Sequence, residues 1–199
     1  MAEGGLIMVQ KFSFESTSID GLIKINTFDA EDVRGHFTKD YSKDLFEDNN
    51  INYDLKEIFY TTSYKGVIRA LHFQRVKQQP KLVRCIYGRI WDVVVDLRKN
   101  SPTYKKYEAF ELTGKEYSEI LIPGGCAHGY LVLEDSIVSY KCSEKFYPEY
   151  DDGIKWNDPD IGIEWPMSQI GGQKNLIIAE KDMHLQSFKE FTDKYGSLE

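Results

Sequence analysis

Three consecutive valines, Val93-Val94-Val95, framed by Trp91-Asp92 and Asp96-Leu97, constrain this chain more than any other feature. β-Branched side chains are stiff at χ1 and crowd a helix, whereas they sit well on a pleated surface. A run without polar alternation demands burial on both faces, so the chain contains an interior strand. Residues 21–28, 55–63, 67–73, 81–86, 90–97, 107–112, 119–122, 129–133 and 136–142 read as short strands. Tyr64-Lys65-Gly66 reads as a turn, and Tyr87-Gly88-Arg89 as a tight hairpin with glycine at the turn. Helical patterning is confined to residues 42–48 and 185–194, and neither segment can carry a core. The prediction is an all-β sandwich or small barrel with short peripheral helices. No repeat, low-complexity run or linker divides the 199 residues, so 1–199 reads as a single domain able to bury a real core.

Charge narrows the partners. Lys+Arg 25 against Asp+Glu 32 gives a net charge of −7, which argues against nucleic acid and the membrane surface, since both need a positive field. No stretch approaches the roughly 20 apolar residues of a membrane span. Residues 1–8 lack the basic and long apolar segments of a leader. Cys85, Cys126 and Cys142 are odd in number and form no CxxC pair, so a reducing, cytoplasmic setting without disulfides or a thiolate metal site is the simplest.

Chemistry centres on few residues. Of the four histidines, His72 lies in Arg69-Ala70-Leu71-His72-Phe73-Gln74, where alternation puts Ala70, His72 and Gln74 on one face. His128 follows Pro123-Gly124-Gly125-Cys126-Ala127, a turn before an apolar strand. Each alone reads as a hydrogen-bonded structural histidine. Pro-x-Gly-x-x-His is similar to half of the cupin metal pattern, but Gln74 stands where a second histidine belongs, no acid follows in residues 75–79, and Lys81 adds positive charge. The donor count is too low for zinc or iron, and no metal is expected. Arg34, Arg69, Arg75 and Lys81 read either as a solvated face or as an anion pocket, since Arg forks suit phosphate oxygens.

Several stretches together carry a resemblance. They are residues 66–74 with 81–85, Asp92-Val93-Val94-Val95-Asp96-Leu97-Arg98 with Ser101-Pro102-Thr103, residues 122–130, and the run from Trp156-Asn157-Asp158 to Trp165-Pro166. The chain resembles the dTDP-4-dehydrorhamnose 3,5-epimerase family from about residue 21 to 182. That resemblance implies a cupin-type double-stranded β-helix (jelly roll), a homodimer without metal or cofactor, and a nucleotide-diphosphate sugar as substrate. Family members remove a proton beside the C4 ketone of a 4-keto-6-deoxy sugar and return it to the other face, in deoxysugar biosynthesis. By the same resemblance His72 is the general base, Asp182 its partner, Lys81 the oxyanion stabiliser and Tyr140 the acid. A neutral imidazole with pKa near ~6.5 suits a base, and a phenol with pKa near ~10 suits a donor. Arg34 and Arg69 match diphosphate and sugar contacts, His128 and Gln74 match pocket positions, and Phe37 lies at the nucleotide edge.

Some positions depart from the pattern. Lys39 replaces a glutamate, and Glu57 and Phe59 replace a Gln-x-Asn pair, all in the nucleotide-contacting region. The departures leave dTDP, GDP and CDP open as the carrier. Phe146 stands where a second tyrosine is usual, and the lost hydroxyl points to inversion at C3 alone. Tyr147 beside it is expected to face the other way. A non-catalytic sugar-binding jelly roll is the competing reading, but binding alone needs no proton-transfer pair.

Overall fold

The computed structural model describes residues 10–198, so the expectation about residues 1–8 lies outside the described residues. The strands in chain order are β1 (Ser13–Ser16), β2 (Ile23–Asn26), β3 (Phe28–Asp32), β4 (Gly35–Lys39), β5 (Glu57–Ser63) and β6 (Val67–Gln74). They continue with β7 (Lys81–Asp96), β8 (Tyr107–Thr113), β9 (Ser118–Ile122), β10 (Cys126–Cys142), β11 (Asp151–Gly153) and β12 (Ile177–Ile178). Three short α-helices accompany them among the described residues: α1 (Lys43–Asp48), α2 (Glu180–Met183) and α3 (Phe188–Tyr195). No helix among the described residues is long and apolar enough to cross a membrane.

The spine is the antiparallel pair β7–β10, which runs from Lys81↔Cys142 to Asp96↔Cys126. Along the other edge of β7, its first half pairs with β9 and its second with β8. Along the other edge of β10, its first half pairs with β6 and its second with β5. The spine therefore belongs to two half-sheets. Val83, Cys85 and Ile120 from one and Val94, Leu112 and Tyr130 from the other share one buried cluster, so the halves face each other. This is the all-β, double-stranded β-helix, a jelly roll.

Two expectations need correcting here. Tyr87-Gly88-Arg89 is not a hairpin, because β7 runs through it without reversing. Gly88 has φ +79°, and a Cβ there would lie 2.0 Å from the Asp135 carbonyl oxygen. The β10 ladder shifts register at the same level, between Val132 and Val138. Glycine is needed where two strands bend together from one half-sheet into the other, which is a close approach rather than a turn. For the same reason the strands expected at 129–133 and 136–142 are one strand.

The helices cover outer faces, as their short lengths suggested. Ser187 and Glu190 form a capping box on α3, whose buried Phe191 packs on Phe73 with ring centroids 5.1 Å apart. Phe46 of α1 joins Tyr53 over Ile25, Leu82 and Leu121 on the opposite outer face. Cys85, Cys126 and Cys142 are free and buried, and burial pushes their thiols up to about 11, 12 and 11. The β3–β4 hairpin was not anticipated, because Phe28-Asp29-Ala30-Glu31-Asp32 lacks a β-branched run.

Candidate active site

The site begins with an irregularity in β6. His72 pairs with His128 and Arg69 with Tyr130, so β6 spends one residue more than β10 between these rungs. Strict alternation would keep Ala70 beside His72 and Gln74. The bulge instead sends Ala70 and Leu71 into the outer core and brings Arg69 to the same cavity as His72. Gly129 makes this approach feasible, since a Cβ there would sit 2.4 Å from the Cβ of Ala70.

The cavity measures about 440 Å³ and is lined by Arg69, His72, Lys81, His128, Tyr140 and Asp182, among others. Its outer wall is built by β12, which pairs in parallel with the start of β6 (Ile177↔Val67, Ile178↔Ile68). α2 follows directly and sets Asp182 over a histidine 110 residues earlier in the chain. His72 Nε2–H donates to Asp182 Oδ2 across 3.2 Å, which leaves the neutral ring's lone pair on Nδ1. The Asp182 side chain is 4% exposed, and its Oδ1 has no hydrogen-bond partner among the described residues.

A second His–carboxylate pair lies deeper. His128 Nε2–H donates to Asp92 Oδ2 across 2.7 Å, with side chains 4% and 0% exposed. Asp92 is not among the residues expected at the site, although a carboxylate within a doubly buried β-branched run is itself a signal that a partner exists.

Lys81, the first residue of β7, makes no ion pair within 4 Å among the described residues. Burial pushes its ammonium below the ordinary lysine value, against the pull of Cys142, Asp151 and Asp92. Its charge is thus poorly solvated and available to an anion. Tyr140 is buried. Its ring stacks on Phe59 with centroids 4.7 Å apart at 11°, and meets His128 edge-on at 5.9 Å. Burial, with Tyr130 and Asp92 nearby, holds its phenol well above the usual value, so it stays protonated at every working pH.

The other expected ligand contacts divide. Arg69 lines the cavity, donates from Nε to Ser63 Oγ at 3.1 Å, and forms no ion pair among the described residues. Phe146 stands at the mouth, 49% exposed, and its N–H donates to Glu57 Oε2 at 3.4 Å. Gln74 borders the cavity, but its amide is committed. It donates to the carbonyls of Lys77 and Lys145 and accepts from the Tyr147 N–H, so it holds the loop that carries Phe146. Tyr147 takes Lys77 over its ring at 4.2 Å and does not line the cavity.

Arg34, Phe37 and Lys39 are not in this cavity. They lie on the β3–β4 hairpin, where Arg34 pairs with Asp32 at 2.5 Å, Phe37 is exposed, and Lys39 donates to Gln10. Arg75 is likewise drawn off by Asp152 at 2.9 Å and by the Tyr195 ring. Of the four cations considered for an anion pocket, Arg69 and Lys81 are the ones that meet there.

The family model described as dTDP-4-dehydrorhamnose 3,5-epimerase matches residues 16–190. The chain is 45% identical over 181 residues to a dTDP-4-dehydrorhamnose 3,5-epimerase of Methanothermobacter thermautotrophicus, covering 90% of this chain and 96% of that one. A crystal structure of the Elizabethkingia anophelis enzyme of that name superposes with TM-score 0.83 at 34% identity, over 90% of this chain and 97% of that chain. The Legionella pneumophila dTDP-6-deoxy-D-glucose-3,5-epimerase, solved with dTDP-4-keto-L-rhamnose, superposes with TM-score 0.86 at 30% identity, over 92% and 96%.

Proposed function

The chain belongs to the dTDP-4-dehydrorhamnose 3,5-epimerase family, and we propose that its cavity inverts a carbon beside the C4 ketone of a nucleotide-linked 4-keto-6-deoxy sugar. It is an isomerase. One observation carries the assignment of roles: a single cavity brings together a carboxylate-backed imidazole, a half-buried, desolvated ammonium without an ion pair among the described residues, and a phenol held protonated.

In this reading His72 removes the proton from the carbon next to the ketone. Asp182, acceptor of the Nε2–H bond, fixes the tautomer and stabilises the imidazolium once formed. Electron density moves to the ketone oxygen, and Lys81 supplies the positive charge that meets the enolate. A desolvated ammonium acts more strongly than one in water, because fewer solvent dipoles screen it. Tyr140 then returns a proton to carbon, and its elevated pKa makes it a donor at neutral pH. Arg69 engages the diphosphate or the sugar, and the His128–Asp92 pair gives the cavity floor a fixed polar group.

The chain works as one domain and as a homodimer in the cytoplasm. The dimer is supported by β5, which pairs only with β10 among the described residues and exposes Ile58 by 50% and Tyr60 by 61%. It is supported too by the β3–β4 hairpin, whose exposed Val33, Arg34 and Phe37 do not line the cavity of their own chain. With a second copy present, Arg34, Phe37 and Lys39 have a place to contact nucleotide.

The test is incubation in D2O with dTDP-4-keto-6-deoxyglucose, followed by proton NMR and mass of the sugar. Deuterium at C3, or at C3 and C5, is the expected result. The same sugar on GDP or CDP forms the comparison arm. Incorporation only there would reassign the carrier, and none in any arm would favour a sugar-binding jelly roll without catalysis.

A further inference from the structure

α2 carries Asp182 on a single turn, and a helix that short has no stability of its own. Its place is set by what grips the chain on either side. Before it, Ile177 and Ile178 pair with the start of β6. After it, Gln186 makes a parallel bridge to Ile154, and the Lys155 N–H donates to the Gln186 carbonyl at 2.9 Å. Asp182 thus stands four residues beyond the first grip and four before the second.

The second grip is fastened by side chains. Gln186 Nε2–H donates to Asp152 Oδ1 at 2.7 Å, and the Gly153 N–H donates to the same oxygen at 2.8 Å. Asp152 Oδ2 faces Arg75 Nε at 2.9 Å. Asp152 lies on β11, which pairs Gly153 with His72, and Leu71 exchanges backbone hydrogen bonds with Ile154 at 2.9 and 3.0 Å. Leu185 closes over Gly153, where a Cβ would come within 2.9 Å of Leu185 Cδ1. The segment leaving α2 is therefore tied to the rung on which His72 sits. Asp152 and Gln186 are half-buried and do not line the cavity that holds His72 and Asp182.

The contact they bracket has little slack. At 3.2 Å the His72–Asp182 hydrogen bond is at the long end of the N–H···O range, and a further ~0.4 Å would leave it unmade. We propose, resting on the reading of His72 as the base, that Asp152 and Gln186 are positioning residues that hold Asp182 against it. They touch neither sugar nor ketone, and they act through the His72–Asp182 pair alone.

Gln186→Leu keeps most of the side-chain bulk and removes the donor to Asp152. Steady-state kinetics with dTDP-4-keto-6-deoxyglucose should show kcat lowered about 10- to 100-fold with KM little changed, since a misplacement on the order of 1 Å costs that much. Added to Asp182→Ala, the same substitution should lower kcat by less than about twofold, because the interaction it protects is already gone. Gln186→Lys, which returns a donor to Asp152, should recover most of the rate. A loss of equal size with and without Asp182, or no loss in either, would overturn the proposal. A second measurement needs no substrate. In chains labelled with [15N]histidine at about pH 8.5, above the usual imidazole pKa of ~6.5, His72 should keep its proton on Nε2 in the wild type. In Gln186→Leu, as in Asp182→Ala, that proton should divide between Nε2 and Nδ1. A tautomer unchanged by Gln186→Leu would overturn the proposal. Should Gln186→Leu not fold, Gln186→Asn, whose amide is drawn back from Asp152 by one C–C bond, carries both measurements. A wild-type chain that forms no product, with the tautomer responding as expected, would overturn the epimerase reading and leave the anchoring of Asp182 standing.

Discussion

Asp182 Oδ2 lies 3.2 Å from His72 Nε2, and no backbone hydrogen bond of the β-ladders holds the two residues together directly. Their contact depends on the two-residue parallel pairing of β12 with β6 and on the single turn of α2 that follows. Asp182→Asn keeps the side-chain volume but removes the charge that stabilises an imidazolium. We expect kcat to fall roughly 10²- to 10⁴-fold with KM little changed, read by steady-state kinetics. A similar loss expressed in KM alone would make Asp182 a binding group.

Lys81 sets activity and stability in opposition. Its ammonium is desolvated in the fold and fully hydrated in the unfolded chain, so its folded pKa lies below its unfolded one. Below both values the charge costs stability, and that cost is recovered as pH rises through the folded pKa. Lys81→Met should therefore raise Tm at neutral pH, by about 2–4 °C per kcal/mol recovered, while lowering kcat roughly 10²- to 10³-fold. Calorimetry and kinetics on one preparation decide it, and a lowered Tm would show that Lys81 is structural.

Tyr140→Phe separates the two halves of the reaction. Removal of the substrate proton by His72 should persist, while inversion slows by about 10²-fold or more. Solvent exchange and epimer formation measured in the same NMR sample give the two rates. Equal loss of both would assign Tyr140 to holding the substrate.

Phe146 tests the number of centres inverted. It stands at the cavity mouth without a hydroxyl, and the neighbouring Tyr147 is turned away under Lys77. The wild-type chain is expected to place deuterium at C3, and Phe146→Tyr to add C5. Deuterium at both carbons in the wild type would remove any role for this position in limiting the reaction.

Much of this architecture is written in short stretches of sequence. The β-branched runs mark the strands, and Ser187 with Glu190 marks the start of α3. What local pattern does not encode is where a strand ends when its partner bends with it. Gly88 carries the same signal for a turn and for a crossing beneath Asp135, and only the long-range ladder distinguishes them. The bulge at Ala70–Leu71 is of the same kind, since its cause sits opposite, at Gly129. His72, Lys81, Tyr140 and Asp182 are legible as one group only through the family resemblance. Composition and spacing alone gave Asp182 no reason to differ from a surface acid. Asp92 was legible as a charge in a buried strand, yet its partner was not, because β10 supplies it from across the ladder.

A buried charge cluster outside the site gives a pH signature of the fold itself. Lys141 Nζ lies 3.0 Å from both Glu119 and Asp40, and Arg84 reaches Asp40 at 3.1 Å. Burial outweighs these cations at Glu119 and pushes it up to about 7 from an ordinary 4.5. The folded state thus binds more protons than the unfolded one between those values, and stability falls as pH rises through that window, by on the order of 3 kcal/mol. Glu119→Gln should flatten this decline. Urea midpoints at pH 5 and pH 7.5 for both proteins check it, and parallel pH dependence in the two would exclude Glu119 as the cause.

Every other role in the cavity depends on His72 taking a proton from the sugar. Incubation of the wild type and of His72→Ala with dTDP-4-keto-6-deoxyglucose in D2O, followed by proton NMR at C3 and C5, tests it most directly. Enzyme-dependent loss of the C3 proton signal is expected with the wild type, and none above background with His72→Ala under conditions where nucleotide binding is retained. Undiminished deuterium incorporation by His72→Ala would contradict it and place the base elsewhere in the cavity.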